Sequence, residues 1–169
     1  MQKDIDIIIY GATGFTGQLC VKYFKSLNTS VKWAIAGRNK EKLQQVAEDN
    51  SVDVEILIAD SDNEAELDVL TSRAKVMLST TGPFHRYGSK LVASCVKNCS
   101  HYVDITGENF WVKGIIAKHH EEASAKGIRI VPSCGYDSIP SDLGVFYSAK
   151  ALNTVSYTHL TLPTTKNVW

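Results

Sequence analysis

A chain of 169 residues, 44% hydrophobic and 21% charged, carries enough apolar material for one soluble domain with a real core. Its 18 basic and 18 acidic residues cancel, so no net positive field exists to gather nucleic acid or an anionic membrane surface, and neither partner class is expected. No apolar run approaches the roughly 20 residues that span a bilayer, and residues 1–6 lack the charged and apolar regions of a secretion signal, which points to a cytoplasmic setting.

Short β-rich runs alternate with helical patterns, which predicts an α/β architecture with a doubly wound parallel sheet. In chain order, a strand over 4–10 leads into a helix over 15–27, where Phe15, Leu19, Val21, Tyr23 and Phe24 suggest a broad apolar face. A strand over 32–36, a helix over 40–48, a strand over 54–59 and a helix over 64–73 follow. Next come a strand over 75–79, a helix over 87–97, a strand over 101–104, a helix over 110–126 and a strand over 128–131. The strands are nearly continuous in apolar character, as expected when helices cover both faces of a sheet. His119 and His120 stand beside Glu121 and Glu122, a pattern that reads as a solvated helix face.

The character changes after Leu152. Residues 153–169, "NTVSYTHLTLPTTKNVW", are rich in threonine, contain Pro163 and hold neither helical nor strand periodicity. "VSYTHLTLPTT" is similar to a peptide obtained when adapter or vector DNA is translated. The domain is therefore expected to occupy residues 1–152, with a non-native or disordered tail beyond.

The first strand runs into "GATGFTG", which sets Gly11, Gly14 and Gly17 between a strand and the opening of a helix. In that context glycine at the first position permits a sharp turn, at the second lets backbone approach a pyrophosphate, and at the third lets helix and strand pack closely. The helix that begins near Phe15 aims free N–H groups and its positive dipole end at the phosphates, and Thr13 and Thr16 add hydroxyl donors.

At the end of the second strand, "WAIAGRN" lacks the acid that would bond a ribose 2′-hydroxyl, and Arg38 stands where a guanidinium can pair with a 2′-phosphate. NADP rather than NAD is the expected cofactor. Asp60 follows the third strand, where it either contacts the adenine edge or closes a turn. Thr80, Thr81, Gly82 and Pro83 follow the fourth strand, at the point where a doubly wound sheet reverses direction and binds its ligand. Asp104, Thr106, Glu108, Cys134 and Asp137 stand on the same side after later strands, and helix capping accounts for Ser141 and Asp142. Asp104 is the candidate for proton handling, from its place at a strand's carboxyl end. Cys95, Cys99 and His101 do not complete a four-ligand metal set, and no metal is expected.

In their order, "YGATGFTG", "AGRN", "TTGPFHRYG", "HYVDITGE" and "VPSCGYDSIPSDLG" resemble the saccharopine dehydrogenase-like oxidoreductase family over residues 4–152, and are also similar to bacterial trans-acting enoyl reductases. The resemblance implies an N-terminal NADP-binding Rossmann domain. It also implies hydride transfer with a small-molecule or lipid-linked substrate in a full-length protein, whose later part supplies a substrate and dimerisation domain. A chain lacking that part is expected to bind cofactor without completing turnover. Two alternatives stand beside this reading. A short-chain dehydrogenase needs Tyr and Lys four apart on a helix, which this sequence lacks, since Tyr87 with Lys90 and Tyr147 with Lys150 are three apart. A non-catalytic nucleotide sensor or scaffold can use the same fold.

Overall fold

The computed structural model describes residues 3–27 and 29–152, so the tail at 153–169 lies outside the described residues. The chain divides into two compact units, Met1–Cys134 and Gly135–Trp169.

The first unit holds a six-stranded sheet. Its elements are β1 (Ile5–Tyr10), α1 (Phe15–Ser26), β2 (Trp33–Gly37), α2 (Lys40–Asp49), β3 (Glu55–Ile58), α3 (Glu64–Arg73), β4 (Ala74–Ser79), α4 (Phe84–Lys97), β5 (His101–Asp104), α5 (Asn109–Ala125) and β6 (Ile130–Val131). The strand order is β3-β2-β1-β4-β5-β6, and all recorded pairings are parallel. This is the doubly wound, Rossmann-like arrangement, with β1 at the centre and the reversal of direction between β1 and β4.

Consecutive residues of β1 face opposite layers. Ile8 packs with Met77, Leu67, Leu91, Val92 and Tyr102 on one side, while Ile9 packs with Ile35, Val21, Leu43 and Val46 on the other. Each such fully buried aliphatic side chain contributes about 1.5–3 kcal/mol, so a strand apolar on both faces is held only when helices cover both. The registers Tyr10↔Ala36 and Tyr10↔Ser79 align the carboxyl ends of the three central strands. Backbone bonds from Gly11 N to Ala36 O (2.9 Å) and from Thr80 N to Tyr10 O (2.9 Å) then carry the loops beyond them into one place.

Three expectations from the sequence are corrected. Phe15, Leu19 and Tyr23 do not form the packed face of α1: they are 84%, 52% and 61% exposed, and Gly17 and Val21 are buried instead. The cause is Gly17, which must abut the preceding turn, and residues 15 and 19 lie about 200° around the helix from it. His119 is buried, because α5 turns Trp111, Ile115, His119 and Ala123 inward at four-residue spacing. α4 begins three residues before the predicted start, at Phe84, since Glu108 supplies hydrogen-bond acceptors to its first amides.

The second unit contains α6 (Ile139–Leu152), and Ser141 and Asp142, read from the sequence as helix caps, lie inside its first turn instead. Among the described residues no helix is long and apolar enough to cross a membrane.

Candidate functional site

The three glycines of the turn are constrained by different neighbours. Gly11 has φ +87°, and a Cβ there would stand 2.3 Å from Thr81 Oγ1. A Cβ on Gly17 would stand 2.2 Å from the Gly11 carbonyl oxygen and 2.7 Å from Ala12 Cα. Gly14 is free of such conflict, since its nearest neighbour would be the Gly11 carbonyl oxygen at 3.4 Å, an ordinary contact. The protein itself therefore requires glycine at 11 and 17, whereas at 14 the absence of a side chain leaves space for a ligand.

Gly14 is the N-cap of α1, extended and without a side-chain cap, and no acidic residue occupies the first turn. The neighbouring helices differ. Asn39 caps α2 ahead of Glu41, Asn63 caps α3 ahead of Glu64 and Glu66, and the carboxylate of Glu108 receives the first amides of α4. The positive end of α1 is left unneutralised where the glycine turn opens.

A cleft of about 420 Å³ follows the carboxyl ends of β1, β2 and β4. It brings together Gly11, Thr13, Gly14, Arg38, Thr80, Thr81, Gly82 and Pro83, all singled out from the sequence. Tyr10, Gly37, Ser61 and Tyr87 also line it and were not singled out. Ser61 and Tyr87 were findable in principle, the first from its place just past β3 and the second from its place one turn after Pro83. Arg38 is exposed, and its side chain makes no ion pair or hydrogen bond with another described residue.

Thr81 Oγ1 is buried without a hydrogen-bond partner among the described residues. A neutral donor-acceptor in that position is costly unless something completes it, so it fits a polar ligand in the cleft. Thr80 is engaged differently, its hydroxyl lying 3.2 Å from Tyr10 O and 3.1 Å from Gly11 O and pinning the turn to β4. The Tyr10 hydroxyl donates to Ala59 O (3.2 Å), and burial, followed by the charge of Asp60, pushes its pKa up to about 12.

Four of the candidate cofactor contacts, Phe15, Thr16, Gly17 and Asp60, do not line the cleft, and neither does Asp104. Gly17 packs within the turn and Phe15 faces outward, so Phe15 and Thr16 offer the site the backbone of the first helical turn. Asp60 closes a local turn, its carboxylate accepting from Asp62 N (2.9 Å).

Asp104 is 1% exposed. Its Oδ1 accepts from Thr106 N (3.0 Å) and Ser133 N (2.9 Å), and its Oδ2 from the Tyr102 hydroxyl (2.8 Å). Burial raises its pKa against these bonds, which favour the carboxylate. The geometry makes Asp104 the knot that ties together the segments after β5 and β6. A second, more apolar cavity of about 370 Å³ lies between α5 and β6, and it shares no lining residue with the cleft of the glycine turn. His119 lines it, its Nε2 without a partner among the described residues, and burial lowers its pKa.

Comparison with known proteins agrees with this geometry. Residues 7–131 match the saccharopine dehydrogenase NADP binding domain. The chain is 39% identical over 148 residues to the trans-acting enoyl reductase of Mycobacterium leprae (strain TN), covering 86% of this chain and 35% of that protein. It is 38% identical over 167 residues to the saccharopine dehydrogenase-like oxidoreductase of Mus musculus, covering 90% of this chain and 39% of that protein. The chain thus spans little more than a third of the length of these curated relatives. Among solved structures, the apo histidine-tagged saccharopine dehydrogenase (L-Glu forming) from Saccharomyces cerevisiae superposes with a TM-score of 0.68 over 88% of this chain and 31% of that one, at 16% identity, a likeness of fold alone. On the family match and the cleft together, this chain belongs to the saccharopine dehydrogenase NADP-binding domain family.

Proposed function

We propose that the cleft holds NADP(H) for an oxidoreductase, in which the full-length protein transfers hydride to or from a small-molecule or lipid-linked substrate. The observation that carries this reading is the unhindered, uncapped Gly14 facing a cleft that also contains the orphaned Thr81 hydroxyl. The pyrophosphate rests on the amides around Gly14, Phe15 and Thr16, with Thr13 beside them. Arg38 and Ser61 take the 2′-phosphate, and Asp60 fixes the turn that carries Ser61. Thr81, Gly82 and Pro83 hold the nicotinamide ribose, with Thr80 fixing their place. When bound, the dinucleotide supplies the hydride, and the residues of this chain orient it.

Asp104 serves this site by holding the loops beyond β5 and β6 rather than by transferring a proton, because its carboxylate is buried and accepts from Tyr102 Oη, Thr106 N and Ser133 N. Residues 1–152 make up the cofactor-binding part, residues 153–169 are foreign to it, and homodimerisation belongs to the longer protein. The four free cysteines suit a reducing, cytoplasmic setting. The direct test is fluorescence titration of the chain with NADPH: saturable binding that is displaced by 2′,5′-ADP supports the reading, and absence of binding at millimolar cofactor removes it.

A further inference from the structure

The N-terminus of α4 borders the cleft, since Pro83 lines it and Phe84 begins the helix. The first four amides of a helix lack partners within it. Pro83, the N-cap, has no side chain able to satisfy them, and its carbonyl oxygen accepts from Arg86 N (3.2 Å) and Tyr87 N (3.0 Å). The amides of Phe84 and His85 are satisfied from another loop. Glu108 Oε1 accepts from Phe84 N at 2.7 Å, and Oε2 accepts from His85 N at 2.9 Å and pairs with His85 Nδ1 at 2.5 Å.

Glu108 is itself held. Its amide donates to Thr106 Oγ1 (3.0 Å), Thr106 N donates to Asp104 Oδ1 (3.0 Å), and the Glu108 carbonyl oxygen accepts from Trp111 N (2.9 Å) at the start of α5. Trp111 then reaches back to α4, where its Nε1 donates to Ser89 Oγ (2.9 Å) and its ring fills the space over Gly88. A continuous chain of bonds thus runs from the buried Asp104 to the first turn of α4. The Phe84 ring lies 3.5 Å from where a Gly82 Cβ would be, so the position of that first turn is passed to the Gly82 and Pro83 wall of the cleft.

We propose that Glu108 is a positioning residue for the nicotinamide half of the cofactor, acting through the first turn of α4 on Gly82 and Pro83. The proposal rests on the NADP(H) reading of the cleft. The adenosine half, bound at Arg38 and Ser61 on the β2 and β3 side, lies outside the clamp's reach. The clamp also places a carboxylate on the positive end of α4, which leaves the end of α1 to the pyrophosphate.

The test compares the wild-type chain with Glu108→Gln and Glu108→Ala by amide exchange of Phe84 and His85, and by affinity for NADPH and for 2′,5′-ADP, which lacks the nicotinamide half. Exchange at both amides should accelerate, and NADPH affinity should fall by about tenfold in the alanine variant and less in the glutamine variant, for the loss of charged hydrogen bonds. Affinity for 2′,5′-ADP should stay within about twofold. Should the alanine variant fail to fold, the glutamine variant carries the same comparison. Unchanged exchange overturns the proposal, as does faster exchange with unchanged NADPH affinity, or an equal loss for both ligands. If the wild type binds neither ligand, the cofactor reading itself falls and the proposal with it. If it binds both and the variants do not separate them, the proposal falls alone.

Discussion

Gly17 stands so close to Gly11 that a Cβ on it would lie 2.2 Å from the Gly11 carbonyl oxygen, whereas a Cβ on Gly14 would lie 3.4 Å from that same atom. The two substitutions should therefore separate folding from binding. Gly17→Ala should destabilise the chain by about 1–3 kcal/mol, the range for forcing extra atoms into a filled site. Gly14→Ala should cost no more than about 1 kcal/mol, as an N-cap exchange, yet remove NADPH binding. Chemical denaturation together with cofactor titration of both variants checks this.

Thr81 provides the opposite combination. Its hydroxyl is buried and unpartnered, so Thr81→Val should leave stability unchanged or raise it by about 1 kcal/mol while weakening NADPH binding. A variant that loses stability without losing affinity would show that the hydroxyl serves the fold.

Arg38 is exposed, so the contact proposed for it with a 2′-phosphate should be screened by salt. Arg38→Ala should reduce NADPH affinity about tenfold at low ionic strength, less at high salt, and leave NADH affinity nearly unchanged. Titrations of both cofactors at two salt concentrations measure the difference.

The clamp at α4 should respond to acid. Burial works to raise the pKa of Glu108, but the hydrogen bonds from the His85 amide and imidazole and the Phe84 amide outweigh it and hold the pKa below 4.5. A carboxylate with a depressed folded pKa stabilises above its unfolded value, and that contribution disappears as pH falls through the folded value. Below about pH 4.5 the amide chemical shift of Phe84 should change as the Glu108 carboxylate takes up a proton, and Glu108→Gln should abolish that change.

His119 should act in a higher window. Burial lowers its folded pKa below 6.5, so the unfolded chain takes up a proton first, and stability held above pH 6.5 is lost as pH falls. In His119→Leu this part of the acid slope should vanish from the melting temperature, with the value at pH 8 equal or higher.

The parts of this molecule legible in its sequence are those fixed locally. The strand-turn-helix setting of Gly11, Gly14 and Gly17 marked the turn at the mouth of the cleft, and the apolar strands separated by helices marked a sheet covered on both sides. Arg38 and the segment from Thr80 to Pro83 were placed by their distance from strand ends, and the cleft contains them. What escaped depends on contacts between distant residues. The rotation of α1 that exposes Phe15, Leu19 and Tyr23 follows from one glycine contact. The burial of His119 follows from the orientation of α5, which its neighbours Glu121 and Glu122 conceal. The early start of α4 depends on a carboxylate 24 residues away in the chain from Phe84. Periodicity carries no sign of such a cap.

Calorimetric titration of the 169-residue chain with NADPH and with NADH under one buffer decides whether this cleft holds NADP(H). NADPH should bind saturably at one site, tighter than NADH by about tenfold or more, and this binding should be lost in Gly14→Ala while the fold persists. Equal affinity for the two cofactors, or NADPH binding that survives Gly14→Ala undiminished, would contradict it.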